Sequence, residues 1–245
     1  GNRVRLPAAP LNSLLLGPGT SITHEAVKVA SAANCSICWV GEDSLLFYAS
    51  GITPTSTTHN LQRQVLLAAH EKTSLAVAKA LFARRFPEVD LENKSLQEMM
   101  GMEGLRVRNL YVQKAEQYNV GWKGRVFTPG KFELSDVTNQ ILTSTNAALY
   151  GILCSCVHSL GYSPHIGFIH SGSPLPFIYD LSDLYKADLT IDLAFSLTLS
   201  LGGKYNKYAV AEAFRTRVLE QDLLKHVTLD IEALLGEKSA RRYRQ

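Results

Sequence analysis

From Val137 to Tyr179 the chain carries no Asp, Glu, Lys or Arg. Over the whole chain 19% of residues are charged, somewhat below the usual share for a folded protein. The charge-free stretch is rich in Thr, Ser, Asn and Gly. No run of about 18 purely apolar residues occurs, so it reads as a soluble interior and not a membrane span. Cysteine is scarce, with only Cys35, Cys38, Cys154 and Cys156. Four thiols make no secreted disulfide framework, and a reducing cytoplasm is the expected setting. Cys35-x-x-Cys38 and Cys154-x-Cys156 could together form a four-thiolate zinc site. The first pair lies in a strand-like CSICWV and the second in an apolar helix, so buried structural cysteine is the better reading.

Other absences remove whole enzyme classes. His24-Glu25 and His70-Glu71 both lack the second His of HExxH. There is no GxSxG elbow, and no GxGxxG follows a strand. The turn GPGTS at 17–21 follows a strand candidate but lacks the Gly-Lys-Ser/Thr ending of a phosphate loop, so a plain tight turn is expected. No signal-peptide pattern opens the chain, which starts at Gly1 without an initiator Met. No internal repeat is evident.

The 245 residues, 46% of them apolar, suffice for one large domain or two unequal ones. Net charge is only +3, but the basic residues cluster: Arg84-Arg85, Arg106 with Arg108, Lys123 with Arg125, and Arg241-Arg242 with Arg244. Such clusters suit either a phosphate-backbone footprint or solvated helix faces. Leu14–Leu16, Ser36–Val40 and Leu45–Ala49 read as strands, and a helix over His24–Ala33 follows the N-cap candidates Thr20, Ser21 and Thr23. Residues 50–60 make the best linker. Beyond it the pattern is helical. One helix is expected over Leu61–Phe86, stopped by Pro87. Ser95 caps a second, and Ser135 caps a central helix over about 136–160. Further helices are expected near 190–200, 206–220 and 222–235. The central helix lacks a charged face and should be buried.

Charge returns after the gap as Asp180 and Asp183, one helical turn apart, with His170 just upstream and Asp188 just beyond. Carboxylates at the edge of a charge-free region are costly to desolvate unless paired or holding a cation. Glu103 joins them as a candidate, flanked by Gly101 and Gly104. Each of these glycines weakens the helix by about 1 kcal/mol relative to Ala, which suggests close approach of another segment or a helix crossing. Three carboxylates and an imidazole suit Mn²⁺ or Mg²⁺. Spacing alone leaves a second reading open, a satisfied core histidine and two solvent-facing acids.

The segments MEGLRVRNLY, NAALYGI and GYSPHIGFIHSGSPLPFIYDLSDLYKAD, with GPGTSITHEAVKVA and WVGEDSLLFYASG, closely resemble the CRISPR-associated adaptation integrase, the Cas1 endonuclease family, in its type I-E form. The resemblance runs in order through nearly the whole chain. It implies an α+β fold: a small β-rich N-terminal domain, partial here over 1–55 because the family's sheet begins earlier, then an α-helical catalytic domain over 56–245. It implies that Glu103, His170 and Asp183 bind Mg²⁺ or Mn²⁺ and that Asp180 assists, by holding a water beside the cation or by orienting His170. The implied activity is metal-dependent DNA endonuclease and integrase. The 3′-hydroxyl of a captured DNA fragment attacks a phosphodiester at the border of a CRISPR repeat, a transesterification. The implied partners are DNA, a second copy of the chain in a homodimer, and the Cas2 (Cas-two) protein in a higher complex, with no membrane.

Candidate DNA contacts are Arg84, Arg85, Arg106, Tyr150, Lys186, Arg215 and Arg217. Arg106 and Lys186 could equally be salt-bridge partners of the acids, and Tyr150 a core residue. Ser173 stands where some relatives carry a basic residue. Two other functions stay open, a nuclease or resolvase on branched DNA without a partner, and a non-catalytic DNA-binding scaffold.

Overall fold

A leucine-rich β1 (Ser13–Leu16) opens a three-stranded sheet in the computed structural model. The structure describes residues 11, 13–33, 35–41, 47–51, 58–126 and 132–236. The core of the 50–60 linker, the Glu42-Asp43 turn, the 55/56 domain boundary and the C-terminal arginines lie outside them. β1 leads through a tight turn, where Thr20 N donates to Gly17 O at 3.2 Å and Gly19 has φ +75°. The GPGTS segment is thus a plain turn. Helix α1 (His24–Ala32) follows, its N-terminus capped by the Thr23 hydroxyl on Ala26 N. β2 (Ser36–Val40) runs parallel to β1, with Leu14 opposite Ile37. β3 (Phe47–Gly51) is antiparallel to β2, with Cys38 opposite Ser50, and ends two residues later than the sequence suggested.

The rest is helical: α2 (His59–Ala69), α3 (Glu71–Arg85), α4 (Leu96–Gln117), α5 (Val137–Ser159), α6 (Pro176–Ser182), α7 (Asp192–Ser200), α8 (Lys207–Glu220) and α9 (Leu223–Leu235). The fold is α+β. The single helix expected over Leu61–Phe86 is two helices. His70 adopts an extended conformation (φ −110°, ψ 125°), and the Thr73 hydroxyl donates to the carbonyls of Leu67 (2.7 Å) and His70 (3.0 Å). These bonds satisfy acceptors that a continuous helix would have used. Nor is Ser135 the cap of the central helix. Asp136 is, its carboxylate accepting from Asn139 N at 2.9 Å.

Helix α5 crosses the middle of the fold. It is long and apolar enough to cross a membrane, but 72% of that window is buried inside the protein, as expected of a core helix. Its first half packs Ile141 and Leu142 against Ile191, Phe195 and Val210. Its second half packs Leu149, Leu153 and Val157 with Leu81 and Phe82 of α3, Phe177 and Leu181 of α6, and Ile231 and Leu234 of α9. Each such side chain contributes about 1.5–3 kcal/mol on burial. The sheet meets the same helix, where Ser155 Oγ donates to Cys38 Sγ at 3.3 Å. Burial raises the thiol pKa of Cys154 and Cys156 to about 12. Cys154 and Cys156 thus pack into the interior as neutral thiols.

Candidate functional site

Pro176 opens α6 at its first turn, where a missing N–H costs nothing. The short helix then presents Asp180 inward and ends with Asp183 as its C-cap. Asp180 is fully buried, with 0% of its surface exposed. Its Oδ2 accepts from Phe168 N (2.6 Å) and Ile169 N (3.2 Å). Its Oδ1 accepts from His170 N (2.9 Å) and from His170 Nδ1 (2.8 Å). One carboxylate therefore straps down the whole 168–170 segment. Because its oxygens face only donors, His170 carries a proton on Nδ1, which leaves Nε2 as the ring nitrogen turned away from Asp180. That Nε2 lies 3.9 Å from Asp183 Oδ2. The reading of two solvent-facing acids beside a core histidine is overturned, since Asp180 is the most deeply buried acid of the group.

Gly167 makes this strap possible. A Cβ there would fall 2.8 Å from the His170 carbonyl and 2.8 Å from Pro176 Cβ, and 3.0 Å from Asp180 Oδ2. Gly101 and Gly104 of α4 have no such reason, because nothing lies within 4 Å of a Cβ at either. The expected close approach beside Glu103 is absent. The glycine that packing requires is in IGFIHSG and not in MEG.

Glu103 on α4 and Asp183 meet through Arg85, the last residue of α3. The Arg85 guanidinium lies against the Glu103 carboxylate, and its Nη2 is 3.9 Å from Asp183 Oδ2. The side chains of Arg85, Glu103 and Asp183 are 9%, 13% and 15% exposed. Burial pushes the Arg85 pKa down, opposed by the Asp183 charge. As they stand, no three His, Cys, Asp or Glu groups among the described residues are close enough to grip one ion. The sequence-derived set is brought to one place, with a guanidinium standing in it.

Lys186 donates to Asp183 Oδ1 at 2.8 Å and lies over the Tyr150 ring at 5.2 Å. Burial works against its ammonium, but the charge of Asp183 and hydrogen bonds to Asp183 and Tyr150 prevail and raise its pKa. Tyr150 packs edge-on against Tyr179, which packs edge-on against His170. Just after Lys186 the chain takes one π-helical turn (Ala187–Ile191), secured by Thr190 Oγ1 donating to Asn146 Oδ1 at 2.8 Å. Such turns often mark functional sites because they re-aim neighbouring side chains.

A cavity of about 490 Å³ opens from Glu103 and Asp183. Its walls carry Arg84, Arg85, Arg106, Arg125 and Lys186 against three carboxylates, Glu103, Asp183 and Asp188. A basic cavity with acids in its wall suits a phosphate chain brought to a cation site. Arg84 reaches Asp230 at 3.3 Å. Arg106 stacks over the Phe86 ring at 4.8 Å and donates to the Arg85 carbonyl. Of the two cations that could have paired with the acids, Lys186 does so and Arg106 does not. Two other candidates lie elsewhere. Arg217 is bound to Asp192 (2.7 Å) and to the Asp188 carbonyl (2.8 Å), while Arg215 lines a separate depression with Leu15 and Val40. Arg125 was missed as a site residue, although its cluster with Lys123 was visible. Asn139 anchors it, accepting from Arg125 Nη1 and from Val126 N, each at 2.9 Å.

Residues 83–228, a span that holds every one of these acids and cations except Asp230, match the family described as CRISPR associated protein Cas1. The chain belongs to the Cas1 family. It is 65% identical over 237 residues to the CRISPR-associated endonuclease Cas1 2 of Chlorobaculum tepidum, covering 97% of this chain and 80% of that protein. The crystal structure of TtCas1 superposes with a TM-score of 0.80 at 36% identity, covering 95% of this chain and 88% of the other. The TtCas1–DNA complex gives a TM-score of 0.78 at 36% identity, over 95% and 86%. The Asp180-strapped histidine and the Arg85-bridged acid pair lie within the matched span.

Proposed function

We propose that this Cas1-family chain is a divalent-metal-dependent DNA endonuclease and integrase that joins captured DNA to a CRISPR array. The observation that carries the reading is the strapping of His170 by Asp180, which turns Nε2 toward Asp183 at the mouth of a basic cavity. Similarity to a named endonuclease and to a DNA-bound relative supports the class of reaction and substrate. The donor set fits a hard or borderline cation in kind: one imidazole nitrogen and two carboxylates. His170, Asp183 and Glu103 would hold Mg²⁺ or Mn²⁺, which supplies Lewis-acid stabilisation of phosphate charge and a lower pKa for the attacking hydroxyl.

The chain's own residues do the rest. Asp180 fixes the ring and tautomer of His170 and is a positioning residue, not a ligand. Lys186, held over Tyr150, offers an ammonium to a phosphate oxygen. Arg84, Arg106 and Arg125 line the cavity and orient the DNA backbone. With a 3′-hydroxyl as nucleophile the product is a joined strand; with water it is a cut one. The type I-E form, a homodimer, the Cas2 partner and a prokaryotic cytoplasmic setting belong to this reading, as does the division into a β-rich unit over 1–55 and a catalytic unit over 56–245.

Product analysis tests it. The protein, with and without Cas2, is incubated with Mn²⁺, a labelled DNA end and a supercoiled plasmid carrying the array. Label joined to the plasmid is expected. Cut strands alone would replace integration with a partner-free nuclease.

A further inference from the structure

Arg85 is the least well satisfied cation of the site. Its side chain is buried against the rings of Phe82 (5.5 Å) and Phe86 (5.9 Å). One guanidinium nitrogen, Nη2, reaches both Glu103 and Asp183. The other, Nη1, is buried with no hydrogen-bond partner. Its neighbours on the cavity wall are anchored away from that point: Arg84 on Asp230, Arg106 on the Phe86 ring, Arg125 on Asn139, and Lys186 on the far oxygen of Asp183.

We infer that Arg85 is the internal counter-cation of the Glu103–Asp183 pair, and that a divalent cation enters the site by exchange with its guanidinium. The inference rests on the proposed metal role of those acids. Two partly buried carboxylates facing one another repel unless a positive charge stands between them. Arginine supplies that charge at every working pH. A divalent ion brings twice the charge and more ligand sites, and it cannot share the position with a guanidinium at contact distance. An arginine with one buried nitrogen unpartnered loses less on leaving than a fully bonded one would. Once displaced, its fork faces the basic cavity, where a phosphate oxygen can take it. Metal loading would thereby release a cation for the DNA.

Calorimetric titration of Mn²⁺ into the metal-free full chain and into Arg85→Met tests the exchange, with Asp183→Asn placed in both backgrounds. Binding at least tenfold tighter in Arg85→Met, abolished by Asp183→Asn, is expected. The variant's metal-free melting temperature should also lie below that of the parent. Equal or weaker binding in Arg85→Met, still lost with Asp183→Asn, overturns the exchange and leaves the metal site standing. Absence of Asp183-dependent binding in either protein overturns both. A second measurement needs no variant, should Arg85→Met fail to fold. In protein labelled with ¹⁵N-arginine, the Arg85 Nε–H should exchange faster with solvent at saturating Mg²⁺. Unchanged protection overturns the inference.

Discussion

Asp180→Asn separates a positioning carboxylate from a ligand. In the native site each carboxylate oxygen accepts two hydrogen bonds, Oδ2 from Phe168 N and Ile169 N, Oδ1 from His170 N and Nδ1. With its nitrogen toward Phe168 and Ile169 the amide faces two N–H donors; turned toward His170 it faces one, because Nδ1 can shift its proton to Nε2 and accept. The second arrangement costs less, one stranded N–H at about 1–3 kcal/mol, and it leaves Nε2 protonated and unable to ligate. At about 2–4 °C per kcal/mol for a chain of this size, the melting temperature should fall by about 2–12 °C. Asp183→Asn should behave differently. The amide keeps an oxygen for Lys186, and Arg85 keeps Glu103 as a partner, so its melting temperature should fall less than that of Asp180→Asn, which strands a backbone N–H. Scanning fluorimetry of both variants in EDTA reads the difference. If Asp180→Asn melts with the parent, or Asp183→Asn falls as far, the strap does not hold the 168–170 segment and the argument for Nε2 fails.

Gly167→Ala should push the His170 carbonyl or Pro176 aside, costing about 1–3 kcal/mol in melting experiments. Strand joining should drop on the order of 10²-fold, because the histidine moves. Asp192 gives the pH dependence. Burial raises its pKa, but hydrogen bonds from Lys114, Arg217 and Tyr118 outweigh that and hold it below its ordinary 3.8. A depressed carboxylate contributes stability above its unfolded-state pKa and loses it as pH falls through the folded one. The stability gap between the parent and Asp192→Asn in urea titrations should therefore be constant near neutrality and close below about pH 4.

The end of the charge gap was legible from patterning alone. Asp180 and Asp183 stand out because nothing charged precedes them, and desolvation cost is local to those residues. Their division of labour was not legible. Which of two acids three residues apart points inward depends on where α6 lies against 166–170, and Gly167 permits that approach without any signal in spacing. The start of helix α4 was readable from Ser95, which in the structure closes a capping box with Glu98, yet the role given to Gly101 and Gly104 was wrong. Weak helix propensity says nothing about what lies opposite. The break at His70 was hidden because the apolar positions continue through it, and the Thr73 hydroxyl that makes it is an ordinary helix residue in sequence. Arg85 looked like a DNA contact because arginine pairs attract that reading. Only the packing of α3 against α4 shows that it faces acids as well.

The account depends most on metal-dependent chemistry at Glu103, His170 and Asp183. Its direct test is the joining of a labelled 3′-hydroxyl DNA end to an array plasmid by the parent protein, Glu103→Gln and Asp183→Asn, each with Mn²⁺ and with EDTA. Joining should occur only for the parent with Mn²⁺. Joined product that survives EDTA or persists in Asp183→Asn would place the reaction elsewhere in the molecule and leave these acids structural.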